Sequence, residues 1–171
     1  MKLLIAFLSL LLCCLLAPQT SFAQSKFNAI LITSEQTMVK TNHEPEKLIS
    51  KVLTDDFNKG KMVRIVTRDN PQPGQKLQSA KYAVDAKLNA LVLMPGAPAE
   101  LSLHLNLTNV ASTEIVALSQ TIRRIDSKML EDGSNLSAAE LAKSEFGKLL
   151  MDLVHEAVKT FEAKLEKVKI S

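Results

Sequence analysis

Cysteine, histidine, glycine, proline and aromatic residues are all scarce in this chain. Of 171 residues, two are Cys, three His, five Gly and six Pro; the aromatics are one Tyr and six Phe, with no Trp. So little Gly and Pro excludes collagen-like and low-complexity sequence, and 46% hydrophobic residues exclude a disordered chain. Two cysteines are too few for a disulfide scaffold. An excess of one charge is missing too: 21 Lys and Arg stand against 18 Asp and Glu, interspersed along the chain, which argues against nucleic acid or an anionic membrane as partner. What is present is one domain's worth of chain with enough apolar residues to bury a core.

Long apolar runs are confined to the N-terminus. Lys2 is a short positive region, Leu3 to Ala17 is apolar except for Ser9, and Ser21 and Ala23 are small residues at the −3 and −1 positions of a signal-peptidase site. Residues 1–23 therefore read as a signal peptide cleaved after Ala23, which places the single domain of residues 24–171 in the periplasm or outside the cell. Pro18, Gln19 and Thr20 cut the run short of the roughly 20 apolar residues a spanning helix needs. No later segment is long enough to span. Cys13 and Cys14 both lie in the leader, preceded by Leu12 and Cys13 where a lipobox wants a small residue, so cleavage is favoured over outer-membrane association through a lipidated Cys14. The mature chain then has no cysteine and a net charge of +2.

Hydrophobic period predicts an α+β fold. Phe27 to Thr33 reads as a strand with apolar residues on both faces, as burial on two sides would give, Glu44 to Asn58 as a helix with Pro45 in its first turn, and Met62 to Thr67 as a second strand. This is a β-α-β unit, which calls for parallel strands and a right-handed crossover. Residues 69–76 carry two Pro and a Gly and read as the longest loop. Tyr82 to Met94, Leu101 to Thr108 and Glu114 to Arg124 alternate as an antiparallel meander, with Leu101, Leu103, Leu105 and Leu107 inward, then Val116, Leu118 and Ile122 inward on the third strand. A long helix follows, with Ser137 and Glu140 at capping-box spacing, an apolar stripe to Leu165, and Gly147 marking a close approach to the sheet. The expectation is a mixed sheet covered by two main helices.

Three stretches carry a resemblance. They are Gly60 to Asp69, a strand ending in Arg68 and Asp69; Ser79 to Leu88, a small residue, Ala, a polar residue and Tyr82 leading into a strand; and Leu101 to Asn109 followed by Ser112-Thr113-Glu114-Ile115-Val116, a hairpin. The chain resembles the periplasmic LpoB/CsgG-like family, the α/β domain of a penicillin-binding-protein activator and of a curli-assembly protein, related to FlgT-type domains of flagellar assembly. Its hairpin has Ser112-Thr113 where the family usually has Thr-Gly. It lacks the Pro-rich tether of the activators and the extra strands of the curli pore, so a secretion channel is not expected. The resemblance implies an exported module that binds other envelope proteins.

Chemistry-bearing constellations are few. His43, Glu44 and Glu46 are close in sequence, but His104 sits on a strand's wet face and His155 beside an apolar helix stripe, so a three-ligand metal site is not expected; acidic residues at a helix start suit its dipole. No nucleophile motif occurs, Ser144 reads as an exposed polar residue, and Asp55 and Asp56 read as a solvated helix face. No enzymatic activity, catalytic residue or cofactor is expected. Arg64, Arg68, Arg123 and Arg124 form the basic group, and Arg68 with Asp69 is expected, from the resemblance, to fix the following loop. Candidate partner-binding residues are Arg68, Asp69, Tyr82, Arg123 and Arg124. The expected function is a non-catalytic module that regulates or assists assembly of a cell-envelope machine, such as a peptidoglycan synthase. Self-association stays open, and the alternatives are a structural accessory of a flagellar or adhesive appendage, and a periplasmic small-molecule binder or hydrolase with a pocket between the last helix and the sheet.

Overall fold

The structure, a computed structural model, describes residues 27–37, 44–66, 80–92 and 98–168. The signal peptide with Cys13 and Cys14, the Pro-rich loop, and Arg68 and Asp69 lie outside the described residues. In chain order the elements are β1 (Phe27–Thr37), α1 (Glu44–Lys59), β2 (Val63–Ile65), β3 (Tyr82–Val92), β4 (Ala99–Asn109), β5 (Ile115–Ile125), α2 (Ser127–Ser134), α3 (Ala138–Leu141) and α4 (Glu145–Leu165). They form an α+β fold with one five-stranded mixed sheet in the order β2-β1-β3-β4-β5. β2, β1 and β3 run parallel, and β3, β4 and β5 are antiparallel. The expected β-α-β unit and meander are both present, and β1 joins them by pairing with β3, the central strand of the sheet.

One face of the sheet is covered. α1 packs over β1 and β2, and α4 over β4 and β5, while the two helices meet through Phe57 and Phe161, whose rings lie edge to face with centroids 6.1 Å apart. Beneath them sit Leu101, Leu103, Leu105 and Leu107, all fully buried, with Val84, Ala86, Leu88 and Ala90 on β3 opposite them. Burying each such leucine stabilises the fold by roughly 1.5–3 kcal/mol, so this row is the centre of the core. Strict alternation on β3 and β4 follows, because the period of two sends Asp85, Lys87, Ser102 and His104 to the opposite face.

β1 and β5 depart from their expected burial. β1 buries Phe27 and Ala29 on the helix side, yet Asn28 and Ile32 on its other face are exposed, so its apolar residues do not signal two-sided burial. On β5 the orientation is reversed. Register with β4 pairs Leu103 with Thr121 and Leu105 with Ser119, which turns Ser119 and Thr121 under α4 and turns Leu118 and Ile122 outward. A bulge at Leu107/Thr108, where Thr108 pairs with Ile115 and Leu107 with Ala117, resets the alternation. Ser119 and Thr121 are buried beneath the helix, and the Ser119 Oγ has no hydrogen-bond partner among the described residues.

The helical end also differs from expectation. Asp126 caps an additional helix, α2, by accepting from the Lys128 N–H at 2.9 Å. Ser137 and Glu140 do form a capping pair, with the Glu140 carboxylate accepting from the Ser137 N–H at 3.1 Å and hydroxyl at 2.6 Å, but they open only the single turn of α3. α4 starts at Glu145 with half-buried Ser144 as its cap, Oγ accepting from the Gly147 N–H at 2.9 Å. Gly147 approaches the end of α3 rather than the sheet: a Cβ there would lie 1.7 Å from the Leu141 carbonyl oxygen.

Candidate functional site

The sequence-derived candidates do not converge. Tyr82 begins β3 on the covered side, half-buried, its ring edge to face with Phe27 at 5.0 Å. Arg123 and Arg124 lie at the other end of the sheet, opposite Leu101 and Glu100. Leu101 pairs with Ala90, eight residues along β3 from Tyr82, or about 27 Å at ~3.4 Å per residue. The two arginines point to opposite faces, as alternation requires: Arg123 reaches Glu156 of α4 in an exposed ion pair, and Arg124 stands on the uncovered face. Tyr82 thus packs within the covered side, and Arg123 makes a contact between sheet and helix.

Other polar groups singled out by sequence are also absorbed by the fold. Asp56 is not a solvated residue; it pairs with His155 and links α1 to α4. Glu44 pairs with Lys47, and Glu46 accepts from the Thr33 hydroxyl at 3.3 Å. Among the described residues no three His, Cys, Asp or Glu side chains come together as metal ligands would. Between α4 and the sheet, Leu101, Leu103, Leu150, Leu153 and Phe161 are fully buried. An open groove of about 500 Å³ lies instead beside α1, lined by Thr33, Glu46, Lys47, Ser50, Lys51 and Asp55 among others. No described helix is long and apolar enough to cross a membrane.

The face of the sheet that no described helix covers is the candidate site. A central stripe of hydrogen-bonding side chains runs along β3 and β4: Asp85, Lys87 and Asn89 beside Asn106, His104 and Ser102. Ser102, itself buried, and His104 are linked, Oγ to Nε2 at 3.3 Å, and among the described residues the buried Asn89 Oδ1 has no hydrogen-bond partner. Flanking this stripe are apolar residues that ordinarily avoid water: Ile32 on β1, 49% exposed, and Leu118 and Ile122 on β5, 59% and 49% exposed. Sequence reading missed this face because its apolar members on β5 were assigned to the core. The signal was present in Ser119 and Thr121, which are small enough to sit under a helix.

No protein-family model matches the chain, and no curated protein matches it. Solved structures resemble its chain course at low identity. PelC from Paraburkholderia phytofirmans, a dodecamer, is 12% identical with a TM-score of 0.47 over 77% of this chain and 85% of that one. The LpoB C-terminal domain from Salmonella enterica is 12% identical, TM-score 0.42, over 61% and 87%. A hypothetical protein from Chlamydia trachomatis is 9% identical, TM-score 0.49, over 82% and 98%.

Proposed function

We propose that this chain is a non-catalytic, exported protein-binding module that assists or regulates assembly of a bacterial cell-envelope machine. The observation that carries the reading is the sheet face that no described helix covers, with exposed Ile32, Leu118 and Ile122 around a stripe of polar side chains. Exposed apolar residues on either side of hydrogen-bonding groups suit a macromolecular surface, whereas small ligands are engulfed in concave, mostly apolar pockets. The leader at residues 1–23 supports an envelope location, and the resemblance at Gly60 to Asp69, Ser79 to Leu88 and the hairpin supports an assembly role.

The test is a photo-crosslinking side chain placed at Ile32 or Lys87 and activated in the native cells. Capture of a cell-wall synthase, or of a flagellar or adhesin component, identifies the machine. Recovery of the free chain alone, with a small molecule retained in its native mass spectrum, contradicts the reading in favour of ligand binding.

A further inference from the structure

The last strand of the sheet is an edge of 11 residues whose backbone groups alternate in direction. Lys164 Nζ donates to the Leu118 carbonyl at 3.1 Å, so that carbonyl points away from β4. By the strand's period of two, the N–H and C=O groups of Leu118, Gln120 and Ile122 all face outward. The side chains of the same three residues stand on the uncovered face, opposite Asn106, His104 and Ser102. An exposed edge carrying apolar side chains is a template for another strand.

We propose that β5 pairs antiparallel with β5 of a second copy, about a two-fold axis at Gln120, to give a continuous ten-stranded sheet. This does not depend on the envelope role. In that register each Leu118 lies opposite the second copy's Ile122 on the uncovered face, and Gln120 meets Gln120. Arg123 and Arg124 fall opposite Ala117 and Val116, so no charge on one strand faces a like charge on the other. The same axis makes α4 self-complementary. α4 runs antiparallel to β5, with Glu156 at Arg123 and Lys164 at Leu118, so the level of Gln120 falls between them. Side by side and antiparallel, the two α4 helices bring Glu156 of each copy to Lys164 of the other. Lys164 thus guards the edge of the monomer: the second copy's Ile122 N–H replaces it on the Leu118 carbonyl, and the released ammonium turns to the second copy's Glu156.

Sedimentation equilibrium of the purified protein from micromolar to submillimolar concentration tests this. The expected result is a monomer–dimer equilibrium that Ile122→Glu weakens at least tenfold with an unchanged circular dichroism spectrum. Gln120→Pro has the same effect, because the N–H it removes makes no bond to β4. Lys164→Glu weakens the dimer, and adding Glu156→Lys restores it. A wild-type protein monomeric at every concentration overturns the proposal, as does an oligomer that both Ile122→Glu and Gln120→Pro leave intact.

Discussion

The two edges of the sheet are built in opposite ways. β2 is three residues long, and side chains occupy backbone donors at its end and just before its start: Asn58 Oδ1 accepts from the Ile65 N–H at 2.9 Å and Glu162 Oε1 from the Met62 N–H at 3.3 Å. β5 is 11 residues long, and among the described residues Lys164 alone places a side chain on its outward backbone. Both Glu162 and Lys164 belong to the last turns of α4, so one helix terminus serves both edges. A sheet can present one edge for pairing without risking indiscriminate aggregation if the other is short and sealed. The difference lies in single side chains and can be broken one at a time.

The largest effect is expected from Gly147→Ala. The added methyl meets the backbone carbonyl of Leu141, which cannot yield as a flexible side chain does, so the start of α4 must shift. A loss of about 3 kcal/mol is expected, measured by urea unfolding, and both edges lose their α4 contacts together. Opening the sealed edge alone costs less. Asn58→Ala leaves the Ile65 N–H without its acceptor and should cost about 1–2 kcal/mol. Amide exchange should then accelerate at Ile65 and stay unchanged at Ser119 and Thr121; acceleration at both edges would show that they are not independent.

The hairpin leading into β5 offers a change of opposite sign. Thr113 has φ of 59°, a left-handed conformation that disfavours a β-branched residue, and it is the position where the resembled family usually has Gly. Asn109 holds the turn, its Oδ1 accepting from the Ala111 and Ser112 N–H groups. Thr113→Gly should stabilise the fold by roughly 0.5–1 kcal/mol, the relief of about 1–2 kcal/mol of strain less the flexibility glycine adds to the unfolded chain. The smallest effect concerns acid. Hydrogen bonds from Ser137 hold the Glu140 carboxyl below its ordinary pKa. The cap's contribution is therefore full above the unfolded value and lost as pH falls through the lower, folded one. Amide exchange across residues 137–141 should quicken on acidification in the wild type and be insensitive in Glu140→Gln.

Much of the covered side was legible in the sequence. The alternation of Leu101 to Leu107 with Ser102 to Thr108 specified β4 and its buried face, and the helix-strand spacing specified the parallel unit. What misled was local chemistry that tertiary packing overrode. Leu118 and Ile122 have the hydrophobicity of core residues, yet the space beneath α4 admits Ser119 and Thr121. Ser137 and Glu140 form a genuine capping signal, but Leu141 and Gly147 approach too closely for one helix to run through. The candidate site suffered most, because an uncovered apolar face differs from a buried one by the position of a helix, which no single strand records. Tyr82 packs against Phe27 and Arg123 pairs with Glu156, contacts that no local pattern records.

The contrast between the edges is tested most directly by placing a photo-crosslinking side chain at Gln120 in one version of the chain and at Arg64 of β2 in another, each activated in cells that make the protein. The account predicts a covalent product of twice the chain mass from Gln120 and none from Arg64. Equal self-crosslinking from both positions, or none from Gln120, would contradict it.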